Sequence, residues 1–206
     1  LSMSESLGRL NVSRETMERL KHYESLLLKW NPKINLVSKA TLNDIWERHI
    51  LDSAQVFQLG AETTTNWLDI GSGGGFPGMV LAILSKEHSP DRQIALVESD
   101  QRKCAFLRTV ARETDCKVQV YAERIEKLPP QNANVLTARA LADLTKLLEF
   151  ADLHLAPKGT CLFQKGASWE KELQAAQDSW RFEYEAIKSE TSDEAVILRI
   201  NGIEHV

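Results

Sequence analysis

Gly71-Ser72-Gly73-Gly74-Gly75 puts four glycines in five positions, and no other stretch restricts the chain's folding as much. Before it, Asn66-Trp67-Leu68-Asp69-Ile70 is mostly apolar with one carboxylate. After it come Phe76, Pro77, Gly78 and the apolar run Met79 to Leu84. That order predicts a buried strand, a tight turn and a helix start. Glycine lets the backbone take positive φ and lets a ligand lie against the main chain. Pro77 suits the first helical turn, where its missing N–H costs nothing. The helix's free N–H groups and positive dipole end are expected to face a ligand. The stretch therefore predicts a nucleotide-type pocket.

The spacing bears on which nucleotide. A dinucleotide fingerprint starting at Gly71 requires glycine at position 76, where Phe76 stands. A match from Gly73 through Gly75 to Gly78 begins too late after the strand. The order Asp69-Ile70-Gly71-x-Gly73-x-Gly75 instead resembles the first motif of class I S-adenosylmethionine-dependent methyltransferases. S-adenosylmethionine carries no phosphate, so its site needs a carboxylate for an amine or a ribose more than an anion nest. Asp69, Gly71, Gly73 and Gly75 are thus expected at the cofactor. A purely structural glycine turn is the plainer alternative.

At 206 residues, with 43% hydrophobic and 26% charged residues, the chain suits one main domain with a substantial core and an appendage. No run approaches the roughly 18 apolar residues of a membrane span, and no secretory signal opens the sequence. Leu1-Ser2 ahead of Met3 reads as an added leader and is set aside. Cys104, Cys116 and Cys161 are odd in number and lack metal-ligand spacing. They read as core thiols in a reducing cytosol, with no metal site. The formal charge of −4 argues against a protein that grips nucleic acid mainly by a sequence-blind phosphate attraction. Any basic face must be local.

Residues 10–59 read as helical throughout, a cap over residues 1–60. Ser13 is expected to cap a helix with Met17, Leu20, Tyr23, Leu27 and Trp30 on its apolar face, ended by Asn31-Pro32. Thr41 and Asp44 resemble a capping box for a second helix with Ile45, His49, Asp52 and Val56 on one face. From residue 61 onward, strands are expected near 66–70, 93–98, 117–121, 133–138, 159–164, 181–188 and 194–200. Helices near 77–86, 101–114, 143–155 and 168–178 fall between them. The alternation predicts an α/β fold of Rossmann-like type, with seven strands mostly in parallel. Without a helix between them, the last two strands should form an antiparallel hairpin.

Glu98 ends the second of these strands, where a carboxylate can accept hydrogen bonds from both hydroxyls of an adenosine ribose. Ile125 is expected to cover the adenine and the backbone N–H of Glu126 to read its edge. Arg102, Lys103, Arg108 and Arg112 face outward from a helix buried through Phe106, Leu107, Val110 and Ala111, serving solubility or RNA contact. Amino-methylating enzymes of this fold commonly place Asp/Asn-Pro-Pro-aromatic after the fourth strand, to accept amine protons. Here that strand ends Thr137-Ala138-Arg139-Ala140. Guanine N7 has an in-plane lone pair and no proton, so its methylation needs no general base. It needs alignment, which can supply about 7–11 kcal/mol of barrier reduction. Arg139 or Lys165 can present donors to guanine O6.

Several elements then recur together: Lys29-Trp30-Asn31 with Asn35-Leu36; Arg48-His49-Ile50-Leu51-Asp52-Ser53; Asp69 to Gly78 with Gly75-Phe76-Pro77-Gly78; Arg102-Lys103 with Phe106-Leu107; Arg139-Ala140; and Lys165-Gly166. In that order they resemble the bacterial RsmG family, once called glucose-inhibited division protein B. The resemblance covers nearly the whole chain. It implies a cytoplasmic enzyme that methylates N7 of a guanosine in 16S ribosomal RNA of the small subunit, with S-adenosylmethionine as cofactor. Residue by residue, it implies cofactor contacts at Gly71, Phe76, Ile125, Glu126 and Arg139, and ribose at Glu98. It sets His49 and Asp52 beside the pocket. Ala138 and Leu141 depart from the serine and aromatic common in the family. Free RNA and the subunit both stand as substrates, and nothing demands more than a monomer. Two alternatives stand beside this reading. One is a nicotinamide-dependent oxidoreductase, disfavoured by Phe76 and the closing hairpin. The other is a non-catalytic RNA- or partner-binding module.

Overall fold

The computed structural model describes residues 4–206; the expectation for Leu1-Ser2, and the start of the expected 1–60 cap, lie outside the described residues. A short hairpin comes first, β1 (Ser4–Leu7) and β2 (Leu10–Ser13). This corrects the expectation of helix from residue 10. Leu7 and Val12 bury their side chains in the core, and Gly8, at φ +63°, makes the turn. Ser13 caps α1 (Arg14–Ile34), accepting the Thr16 N–H. The helix runs past Asn31-Pro32 to Asn35, which closes it in the left-handed conformation. Pro32 forfeits only the bond to the Leu28 carbonyl, and Leu28 sits on the exposed side, where water can satisfy that group.

Residues 39–51 hold the second departure. A 3₁₀ stretch (Lys39–Asp44) runs into a π-helical turn (Trp46–Leu51) and then α2 (Asp52–Phe57). The Thr41/Asp44 capping box does not form. Ser38 precedes the 3₁₀ stretch without a side-chain cap, and Thr41 Oγ1 instead meets His49 Nε2 at 2.8 Å. The widened π turn, a feature often found at functional sites, buries His49 and leads Asp52 into α2.

The remainder alternates as the periodicity predicts: β3 (Asn66–Ile70), α3 (Gly78–His88), β4 (Gln93–Val97), α4 (Gln101–Glu113), β5 (Gln119–Tyr121), β6 (Ala133–Arg139), α5 (Leu144–His154), β7 (Leu155–Lys165), α6 (Trp169–Gln177), β8 (Trp180–Lys188) and β9 (Val196–His205). The seven-stranded sheet has the order β5-β4-β3-β6-β7-β9-β8. Its first five members are parallel, while β9 runs antiparallel to both β7 and β8. One face packs against α1, α2, α3 and α4 through Leu20, Tyr23, Leu27, Met79, Leu81, Phe106 and Leu107. The other packs against α5 and α6 through Leu144, Leu148, Phe163 and Leu198. The strand order reverses between β3 and β6. In open sheets of this type, the crevice outside the strands' carboxyl ends at that point is where ligands bind.

Candidate active site

The turn after β3 is held from inside. Asp69 is fully buried and accepts three hydrogen bonds: Ser72 Oγ at 2.7 Å, Gly78 N–H at 3.1 Å and Thr137 Oγ1 at 2.8 Å. Burial pushes its carboxyl up to about 6, against the lowering effect of those bonds. Asp69 therefore fixes the turn and occupies the amino end of α3 itself, where a carboxylate is stabilised. This corrects two expectations. Asp69 takes no place in the cavity wall, and the α3 N-terminus faces the chain's own carboxylate rather than a ligand. Gly75 is also interior: its N–H donates to the Ser72 carbonyl at 2.8 Å. A Cβ there would strike the Tyr23 hydroxyl, and φ is +100°.

Tyr23 reaches across from α1 to donate its hydroxyl to the Gly74 carbonyl. Burial raises the phenol well above its usual pKa, so it remains a donor. Its ring stacks on Phe76 at 5.2 Å, and His49 stacks on Phe76 at 4.9 Å. Phe76, at the position that excluded the dinucleotide fingerprint, is thus clasped between two rings from the amino-terminal part of the chain.

A cavity of about 630 Å³ opens above this turn. Gly71, Gly73, Phe76, Glu98, Ile125, Glu126 and Arg139, all expected at the cofactor, line it. Gly73 takes φ +56° and donates its N–H to Glu98 Oε1 at 2.9 Å. Glu98 Oε2 accepts the Asp100 N–H at 2.8 Å. Each carboxylate oxygen keeps lone-pair capacity for a hydroxyl. Ile125 is held from behind by His154, whose Nε2 lies 2.9 Å from its carbonyl. Leu141, in place of an aromatic, also lines the cavity; Ala138 is buried in the sheet. Of the four basic residues on α4, only Lys103 reaches the cavity. Bare glycine backbone, a carboxylate at the β4 end and an apolar wall at Ile125 fit S-adenosylmethionine, a ligand with a ribose, an adenine and no phosphate.

Arg139, at the end of β6, lines this cavity and also a second one of about 310 Å³. Its Nη1 donates to Asp52 Oδ2 at 3.2 Å and to the Arg48 carbonyl at 3.3 Å. Its Nη2 lies 2.9 Å from His49 Nδ1, and the guanidinium sits 5.3 Å over the Phe76 ring. Arginine can only donate, so His49 Nδ1 bears the lone pair and Nε2–H donates to Thr41. Burial, then the charges of Arg139 and Arg48, push His49 down to about 4. The imidazole is neutral at physiological pH. Next to Arg139, Ala140 adopts φ +52°, a conformation non-glycine residues take mainly where the surroundings enforce it.

Asp52 ties the second cavity together. Oδ2 also accepts Gln164 Nε2 at 2.7 Å, and Oδ1 accepts Gln55 Nε2 at 3.0 Å and Thr191 Oγ1 at 2.7 Å. Lys165 lines this cavity but is already engaged, donating to the Ala142 carbonyl at 2.6 Å and to Glu172 at 2.8 Å. Sequence reasoning places Tyr23 only on an apolar helix face, and does not bring Gln164 or the 189–195 connection to the site. Gln164 had a faint signal, a polar side chain in the otherwise apolar run Cys161-Leu162-Phe163. Among the described residues, no group of three His, Cys, Asp or Glu side chains is placed to hold a metal ion.

Fold and site together define a class I S-adenosylmethionine-dependent methyltransferase. The solved structure of an Aquifex aeolicus SAM-dependent methyltransferase superposes with a TM-score of 0.59 at 15% identity, covering 87% of this chain and 97% of that one. M. jannaschii TYW2, solved in complex with AdoMet, gives 0.57 at 12% identity over 85% and 80%. A family model described as rRNA small subunit methyltransferase G matches residues 16–196. The Ruegeria sp. protein named ribosomal RNA small subunit methyltransferase G is 56% identical over 206 residues, 99% of this chain and 100% of that one. The chain belongs to the rRNA small subunit methyltransferase G family. That membership does not favour the nicotinamide oxidoreductase or the non-catalytic module.

Proposed function

We propose that this enzyme transfers the methyl group of S-adenosylmethionine to N7 of one guanosine in 16S ribosomal RNA. One observation carries the choice of atom: the side chain where the two cavities meet is Arg139, a guanidinium that cannot accept a proton. The nearest carboxylate, Asp52, is committed to four side-chain donors. A nucleophile with a lone pair and no proton suits such a place, and guanine N7 is one.

The bound cofactor supplies an electrophilic methyl on a sulfonium. Everything else is positioning by this chain. Glu98 and Gly73 hold the ribose side, and Ile125 and Glu126 frame the adenine. Arg139 keeps N–H groups beyond those spent on Asp52, Arg48 and His49, and these donate to guanine O6. Asp52 and neutral His49 hold the guanidinium in place. The base occupies the smaller cavity, with its N7 turned toward the larger one. Lys165 positions the base indirectly, by tying the 140–142 turn to α6. The protein acts in the cytoplasm as a monomer, on RNA or the small subunit. No described helix is long and apolar enough to cross a membrane.

Methyl transfer from labelled S-adenosylmethionine to small-subunit RNA and particles, followed by mapping of alkali-labile N7-methylguanosine, tests the proposal. One labelled guanosine is the expected result. Label on another atom, or on no RNA while cofactor binding is intact, would overturn it.

A further inference from the structure

Gln164 pairs in register with Arg139 of β6 on one side and Ile197 of β9 on the other. Its side chain therefore leaves the same face of the sheet as Arg139. Its amide nitrogen donates to Asp52 Oδ2 at 2.7 Å and to the Asp52 carbonyl at 3.2 Å. Both partners are acceptors only, so the nitrogen must face them and the amide cannot be turned over. Oε1 is thereby forced to the other side. The residue is 9% exposed, and Oε1 is a buried acceptor without a partner among the described residues. Buried side-chain oxygens are nearly always bonded. Asp52 thus fixes in place an acceptor that the protein does not itself use.

Gln164 and Arg139 line the smaller cavity side by side. Its rim includes both ends of the connection from Ser189 to Ala195. That connection is strapped down by Thr191 Oγ1 on Asp52 and by the Glu190 N–H on Gln55 Oε1 at 2.9 Å. The Glu190 bond joins neutral groups and water can replace it at little net cost, whereas Thr191 stays on the Asp52 carboxylate; a small outward shift of the Ser189 and Ala195 ends lets an entering base reach Oε1.

Resting on the guanine reading above, we propose that Gln164 distinguishes guanine from adenine at the target position. Its Oε1 accepts the guanine N1–H while Arg139 donates to O6. Guanine presents an acceptor at position 6 and a donor at N1; adenine presents the reverse. The same two protein groups would set donor against donor and acceptor against acceptor on an adenine, the kind of mismatch that rejects a substrate most strongly. N7 stays uncovered.

The test compares guanosine, inosine and 2-aminopurine at the mapped target position of the RNA, with wild type and Gln164→Met. Inosine keeps O6 and N1–H, whereas 2-aminopurine has neither and keeps N7. Wild type should accept inosine well ahead of 2-aminopurine. Gln164→Met, similar in volume, should narrow the guanosine-to-2-aminopurine ratio of kcat/KM about tenfold, with cofactor affinity unchanged. A variant that loses activity equally on all three bases, or keeps the wild-type ratio, would overturn the assignment and leave the methyl-transfer reading standing. A wild type that labels no RNA would overturn that reading, and this inference with it.

Discussion

Tyr23→Phe removes one oxygen from a fully buried ring. The substitution keeps the stacking on Phe76 at 5.2 Å and the tilted contact with Phe106 at 6.3 Å. What is lost is the donor to the Gly74 carbonyl. That carbonyl lies under α1, so losing its donor there costs about 1–3 kcal/mol rather than the smaller net value of an exposed bond. For a protein of this size, about 2 kcal/mol corresponds to a fall in Tm of roughly 4–8 °C. Tyr23→Ala would also forfeit the ring, for about 3–5 kcal/mol. Because Gly73 and Gly74 line the cofactor cavity, a loosened turn holds the binding conformation less of the time, and apparent affinity falls with that fraction. A loss of about 1 kcal/mol in holding the turn weakens S-adenosylmethionine binding by up to about fivefold. Thermal unfolding and isothermal titration on the same samples measure both effects. A lower Tm with unchanged cofactor affinity would refute the view that α1 holds the turn; an unchanged Tm would refute the buried bond itself.

Gly73→Asp should abolish cofactor binding, because the backbone is at φ +56° and the new carboxylate would enter the cavity beside Glu98; wild-type affinity by titration would refute the placement. Arg139→Ala should lower kcat/KM about 100-fold through misplacement of the base, while Tm moves by no more than a few degrees, since Asp52 keeps Gln55, Gln164 and Thr191 as donors; a wild-type rate would remove Arg139 from the site. For pH, His49 is depressed from 6.5 to about 4. The unfolded chain therefore binds more protons between those values, and His49's contribution is complete above 6.5 and lost as pH falls toward 4. Asp69, raised from 3.8 to about 6, works in the opposite sense over nearly the same window, so the two largely offset each other in the wild type. The Tm difference between wild type and His49→Gln should widen as pH rises from 4 to 6.5 and then level off; a difference constant with pH would mean His49 titrates normally.

The sequence by itself determined the elements whose signals are local. Glycine spacing located the turn, short apolar runs alternating with helical patterns located the strands and helices, and the missing helix between β8 and β9 dictated an antiparallel end to the sheet. It also supplied Glu98 and Arg139 as cavity residues, since a residue at a strand's carboxyl end in this topology has only one place to be, and Ile125 and Glu126 from the loop that follows β5. Tertiary structure decided what depends on a partner far along the chain. The helix passes Pro32 because the orphaned Leu28 carbonyl sits on the exposed side, and the β1–β2 hairpin forms because Leu7 and Val12 find a core to enter. Asp69 looked like a cofactor ligand, yet its oxygens are spent on Ser72, Gly78 and Thr137, the last of them 68 positions away. Gln164 gave no motif. Its meaning rests on Asp52, 112 positions earlier, which takes the amide nitrogen and leaves the oxygen for a ligand. Which lone pair stays free is a matter of satisfied hydrogen bonds, and the folded chain sets that count.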